Sequence, residues 1–145
     1  MVLWKFPHSL YNEAFVFGHT LIEVNFMVKT FMLGAAGYPL LELLYRRRTH
    51  YSMAIAGGLS LCLIQKISRL HTSLTQKTLL CGCGITAIEY LCGMIWNKQH
   101  KVWDYRDIPC NIHGQVCLPY TMLWCGLSAC ILEMDRHIKK RLAEH

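Results

Sequence analysis

Apolar residues are grouped in four long blocks, which short polar or basic segments separate. The blocks cover about residues 24–45, 51–67, 78–96 and 115–132. A helix that crosses a bilayer needs about 20 mostly apolar residues, within a range of about 17 to 25. The pattern therefore predicts an all-α integral membrane bundle of four transmembrane helices. Because no Ser/Gly/Pro-rich linker divides the chain, residues 1–145 are interpreted as a single membrane domain.

Few charged residues interrupt these blocks. Lys29 and Glu42 lie near the two ends of the first block, where charged side chains can reach the lipid headgroups. Gln65 and Lys66 close the second block, which is the shortest. Glu89 is the one charged residue inside the third block, and the fourth block has none.

The segments outside the blocks predict two further helical parts. Pro7 and Ser9 mark a helix start, and residues 10–22 mix aromatic with polar side chains, which favours a short N-terminal interfacial helix. Residues 133–141 are rich in Lys and Arg and predict a basic C-terminal helical extension. Its cations favour anionic headgroups, although a solvated flank has the same composition.

The composition supports a membrane protein. Of 145 residues, 53% are hydrophobic and 17% are charged, against roughly a quarter charged in soluble domains. The mean hydropathy of +0.24 indicates that part of the surface meets lipid. These values exclude a disordered chain and a soluble multidomain enzyme. The net charge of +6 comes from basic residues beside the apolar blocks, so we predict no nucleic-acid partner.

The chain offers no motif for a metal, a cofactor or nucleotide hydrolysis. It lacks the glycine-rich loop with Lys and Ser/Thr that cradles phosphates. Cys81 and Cys83 point to opposite sides of a helix, and no nearby His completes a zinc set. We therefore expect no metal site, no cofactor and no catalytic residue of these kinds. Six cysteines within the apolar blocks are interpreted as reduced: Cys62, Cys81, Cys83, Cys92, Cys125 and Cys130.

The distribution of Lys and Arg indicates the orientation. With four spans, the side that carries both termini has eight of these residues, and the opposite side has six. The positive-inside rule then favours cytoplasmic termini in a multi-pass protein of the cell membrane. The eight are Lys5, Lys66, Arg69, Lys77, Arg136, Lys139, Lys140 and Arg141, and the six are Arg46, Arg47, Arg48, Lys98, Lys101 and Arg106.

Glu89 is the first candidate site residue, because a charge at the bilayer centre costs about 3 kcal/mol or more. Gly82, Thr86 and Gly93 lie on the same helical face as Glu89, and this small-residue face allows another helix to approach closely. We therefore expect Glu89 to be buried in protein and hydrogen-bonded. Its role is either that of a functional acid or that of a packing contact between helices.

Glu42 and the loop after the third block are the other candidates. Glu42 can pair with Arg46 one turn away, or it can edge a cavity near Pro39, where the helix loses a hydrogen bond. In the loop, Asp104 lies between two aromatic residues that suit the membrane interface. Asn111 serves either a site or a capped turn. If these groups act together, they converge on one cavity with Glu89.

The same residues carry a resemblance to a known family. Residues 89–93, 103–118 and Trp124, together with the segment 37–46, resemble the type IV ABC-transporter permeases of the CmpB type. The resemblance implies a small multi-helix membrane protein, related to small vertebrate transmembrane proteins, that works with a separate ATPase. It also implies a substrate-binding role for the residues at the family's recurrent positions: Glu42, Glu89, Trp103, Asp104, Tyr105, Asn111 and Gly114.

The leading interpretation is a transport-related membrane protein that binds a small solute or lipid in a polar cavity near Glu89, Glu42 and the Trp-Asp-Tyr loop. One alternative is a membrane-embedded enzyme that uses Glu89 or Asp104 as general acid or base on a lipid-soluble substrate. Another is a structural or accessory membrane subunit. Because four short helices enclose little space, we expect a homo-oligomer formed through the glycine-bearing faces, or a partner membrane subunit.

Overall fold

A computed structural model describes residues 8–144; between residues 8 and 19 it describes the course of the helix and, of the side chains, that of Val16. Four helices and one two-stranded antiparallel hairpin follow one another along the chain. Their bounds are α1 His8–Arg46, α2 Tyr51–Ser68, α3 Leu74–Trp96, β1 Asn111–Ile112, β2 Val116–Cys117 and α4 Leu118–Ala143.

Local signals set the helix starts. At α2, the His50 ring nitrogen Nδ1 accepts from the backbone N–H of Ser52 at 3.3 Å. At α3, Ser73 and Gln76 form a capping box, in which each side chain accepts from the other residue's backbone N–H. At α4, Pro119 stands in the first turn, where its missing N–H costs nothing.

The helices pack in chain order, α1 on α2, α2 on α3 and α3 on α4. Glycines allow the closest approaches. A Cβ at Gly34 would overlap the Gly57 carbonyl group, and a Cβ at Gly82 would overlap the Cys125 sulfur. The small-residue face of α3 therefore packs on α4 of the same chain. The expected self-association through glycine-bearing faces is not supported at these positions, because neighbouring helices already cover them.

The α1–α2 contact gives a stability prediction. We expect Gly34→Ala to lower the free energy of unfolding by about 1–3 kcal/mol, since the added methyl group must push α1 away from the Gly57 backbone. Gly37→Ala is the matched control, because nothing lies within 4 Å of a Cβ there and alanine favours a helix. Melting temperatures of the two purified variants test this expectation, and equal melting would contradict it.

Helices α1 and α4 do not pack closely over the part of the chain that the structure describes. They meet at the Tyr38 and Trp124 rings, whose centroids are 5.5 Å apart. Open space remains between the two helices on either side of this aromatic contact. The bundle therefore has an incompletely closed side.

The structure agrees with the predicted architecture in its helices, its basic extension and its cysteines. The chain is mostly helical, and each predicted span overlaps one helix. Within the described residues, two helical segments are long and apolar enough to cross a membrane, Thr20–Arg46 and Leu74–Trp96. The basic extension is helical and continues α4 without a break, and the cysteines are free thiols.

Two details were wrong. No separate interfacial helix precedes the first span over the described residues, because α1 runs unbroken from His8 and no proline lies between residues 10 and 22. Residues 115–117 are not helical, since they form the hairpin and lead to the proline-set start of α4. The fold remains mostly helical, because the hairpin has only two residues on each strand.

Candidate functional site

A groove of about 560 Å³ opens between α1 and α4 at the end of the bundle nearest the loop of residues 97–117. Leu41, Leu123 and Leu127 give it an apolar edge. Its remaining surface is aromatic and polar. That surface is formed by Tyr38, Glu42, Tyr45 and Arg46 from α1, Tyr105 from the loop, and Pro119, Tyr120 and Trp124 from α4.

Glu89 lies directly behind the wall of this groove. The Tyr105 hydroxyl donates to Oε1 of Glu89 at 3.0 Å, and the Trp124 indole N–H donates to Oε2 at 3.0 Å. Glu89 is only 4% exposed. The expectation that it is buried in protein and hydrogen-bonded is confirmed. Both of its donors line the groove, so the two side chains connect the carboxyl group with the open space.

The loop supplies Tyr105 as a fixed donor. Burial raises the pKa of the Tyr105 hydroxyl far above its ordinary value, and the nearby Glu89 carboxyl raises it further. The ring also stacks on Tyr120, with centroids 4.6 Å apart and an interplanar angle of 20°. Tyr105 therefore stays neutral at any physiological pH and keeps its proton available to Glu89.

The two carboxylate oxygens of Glu42 differ in their contacts. Its Oε1 lies 3.5 Å from Arg46 Nη1, and its side chain is 9% exposed. Arg46 Nη2 also donates to the Val102 carbonyl at 2.7 Å. The predicted pairing with Arg46 thus exists, yet Glu42 Oε2 is buried and has no hydrogen-bond partner among the described residues. An unpaired carboxylate oxygen at a groove has capacity to accept from a ligand.

Trp103 belongs to a separate buried network. Its indole N–H donates to the Gln115 carbonyl at 2.8 Å, and its own carbonyl accepts from the Asn97 amide at 2.6 Å. Asn97 and Gln115 also join directly, through Asn97 Nδ2 to Gln115 Oε1 at 3.0 Å and Gln115 Nε2 to the Asn97 carbonyl at 3.0 Å. This network ties the end of α3 to the segment before α4.

Asp104 points outward and pairs with Arg106. The Arg106 guanidinium donates to both Asp104 oxygens at 2.6–3.0 Å and lowers the pKa of that carboxyl to about 2. The pair is therefore fully present at neutral pH and is lost only as the pH falls through about 2. Asn111 accepts from the backbone N–H of Gly114 at 3.0 Å, where Gly114 has a φ of 63°. These contacts shape the turn of the loop.

Of the residues predicted from the sequence, Glu42 and Tyr105 line the groove and Glu89 lies behind it. Four other predicted residues do not line the groove: Trp103, Asp104, Asn111 and Gly114. Their contact with a substrate stays a prediction, and this groove does not account for it. Sequence reasoning missed the groove residues Tyr38, Tyr120 and Trp124. The spacing of Tyr120, Leu123, Trp124 and Leu127 puts them on one helix face, which was the available signal.

Two helical segments are long and apolar enough to cross a membrane, and the groove faces a side of the bundle that the described part of the chain leaves open. The chain belongs to the family described as "Putative ABC-transporter type IV", whose model matches residues 14–144. The resemblance found in the sequence is thereby confirmed, and the protein is transport-related. No curated protein and no solved structure matches the chain.

Proposed function

We propose that this protein is a multi-pass subunit of an ABC-type transport system that binds an amphiphilic ammonium compound in the groove between α1 and α4. In this proposal all four helices cross the cell membrane, both termini are cytoplasmic, and a separate ATPase supplies the energy. Family membership supports the transport role and the ATPase partner. The remaining steps are supported by the groove.

The observation that carries the proposal is the free oxygen of Glu42. Its Oε2 is buried and unpartnered at a groove with five aromatic side chains. Aromatic faces attract cations within about 6 Å of the ring centroid, and a carboxylate oxygen accepts from an ammonium N–H. The aromatic side chains are Tyr38, Tyr45, Tyr105, Tyr120 and Trp124.

The charge balance of the groove favours a cation. Arg46 is the one basic residue in the lining, and its guanidinium is already engaged with Glu42 and with the Val102 carbonyl. Glu89 adds a second carboxyl group behind Tyr105 and Trp124. The Tyr105 hydroxyl and the Trp124 indole both donate to this carboxyl group, and such donors stabilise the negative charge of a carboxylate.

The apolar edge of the groove supports an amphiphile over a small hydrophilic ion. Leu41, Leu123 and Leu127 are between 39% and 58% exposed, and they lie on the side that lipid would cover. An alkyl chain can contact these leucines while its ammonium group lies against the tyrosines. The groove has a volume typical of ligand sites, which run from about 300 to 1,000 Å³.

Binding of dodecylammonium to the protein in alkyl maltoside micelles tests the proposal, with dodecanol and dodecyl sulfate as comparators. We expect the ammonium compound to bind most tightly and Glu42→Gln to weaken it by about tenfold, the loss of roughly one charge-assisted hydrogen bond. Glu133→Gln is the control, since Glu133 pairs with Arg136 at the far end of α4. Equal affinity for the three compounds, or for both variants, would refute the proposal.

A further inference from the structure

A second cavity lies at the opposite end of the bundle, and it shares no lining residue with the groove. Its volume is about 430 Å³, and α1, α2 and α4 line it. Phe26, Leu33, Leu61, Ile64 and Ile131 make most of its wall apolar. The polar side chains of the lining lie together at one end. The cavity is therefore apolar along most of its length and polar at that end.

The charged residues at the polar end are already paired. Arg69 donates to Glu23 at 2.9 Å, and Lys139 donates to Asp135 at 2.6 Å. The Ser68 hydroxyl donates to the Gln65 backbone carbonyl at 2.9 Å. These pairs cancel one another's charge. The cavity therefore presents no net charge that would select an anion or a cation.

Gln65 differs from these neighbours. Both polar atoms of its side chain, Oε1 and Nε2, are buried and have no hydrogen-bond partner among the described residues. A primary amide brings one acceptor and two donors, and each buried group left unpaired costs about 1–3 kcal/mol. Gln65 is among the residues that line the cavity, and its amide is buried in the cavity wall.

We infer that this second cavity binds a single-chain amphiphile with an uncharged headgroup that both donates and accepts hydrogen bonds, such as a monoacylglycerol. Hydroxyl groups of the headgroup pair with Oε1 and Nε2 of Gln65 together, which a carboxylate or an ammonium group cannot do. The acyl chain lies along Phe26, Leu33 and Leu61. This inference does not depend on the proposed function of the groove.

The experiment uses the full chain in phosphatidylcholine nanodiscs, with glycerol monolaurate as the probe and laurate as the comparator. We expect glycerol monolaurate to raise the melting temperature of the wild type more than laurate does. Gln65→Leu keeps the side-chain size but removes both polar atoms, so we expect it to bind the probe at least about tenfold more weakly. Lys66→Gln, at an exposed neighbouring position, is the control and should bind as the wild type does.

A second readout keeps the test decisive if binding is weak. Without the probe, Gln65→Leu should melt higher than the wild type, because it removes two unpaired buried polar groups. An equal response of wild type and Gln65→Leu to the probe would overturn the inference. So would a wild type that melts as high as Gln65→Leu without the probe, because water would then satisfy the amide.

Discussion

Glu89→Gln is expected to melt within about 4 °C of the wild type while binding dodecylammonium at least about tenfold more weakly. The amide fits because Trp124 can still donate to the remaining oxygen, and the Tyr105 hydroxyl can accept from the new NH₂ group. The change removes the group that can carry a negative charge behind the groove, where the low dielectric would give such a charge a strong effect on a bound cation. Thermal melting and ligand titration of the same preparation measure both effects.

Glu89→Leu separates charge from packing. It removes the acceptor for two buried donors, so it should lower the melting temperature as well as the affinity. If Glu89→Gln keeps both its melting temperature and its affinity for the cation, Glu89 is a packing contact and has no part in the site. The same result in uptake by proteoliposomes would extend that conclusion to transport.

Asn97→Ala is expected to lower the free energy of unfolding by about 3 kcal/mol, the largest stability effect among the loop residues. Asn97 is 1% exposed, and its side chain accepts from the Val102 N–H while it donates to the Trp103 carbonyl and to Gln115. Alanine removes these three hydrogen bonds from partners that are buried or half-buried. Denaturant unfolding followed by circular dichroism measures the change.

Asn111→Ala provides the comparison for this prediction. Asn111 also makes three hydrogen bonds, but they go to backbone groups of a more exposed turn, where water can replace them. We expect it to lose about 1 kcal/mol. A loss at Asn97 no greater than that at Asn111 would contradict the view that the buried network fixes the loop.

The helices and the burial of Glu89 followed from local pattern, because apolar blocks form helices and a mid-block acid with small residues around it must face protein. The groove could not be derived in this way. Its two walls come from α1 and α4, which are far apart in sequence, and hydrophobic periodicity says which face of a helix is apolar but not which helix covers it.

The loop shows a second limit of sequence reasoning. Trp103, Asp104 and Tyr105 are consecutive, yet Trp103 is buried in the Asn97 network, Asp104 pairs with Arg106 outside, and Tyr105 reaches Glu89. The side chains of these adjacent residues point in different directions because the irregular backbone of the loop turns at each of them. The buried network of Asn97 and Gln115 was not predicted for a related reason. A polar residue at the end of an apolar block gives the same sequence pattern whether its side chain faces water or protein.

The open side between α1 and α4 also determines how a ligand of the groove would arrive. In the proposed membrane arrangement, a molecule dissolved among the lipid tails would enter sideways between Leu41 and Leu123 without first crossing an aqueous phase. Its supply then depends on its mole fraction in the bilayer, and diffusion in two dimensions sets the rate of encounter. The dissociation constant of such a ligand should therefore be expressed as a mole ratio of ligand to lipid. A dissociation constant expressed as a concentration in the buffer would change with the amount of membrane in the sample.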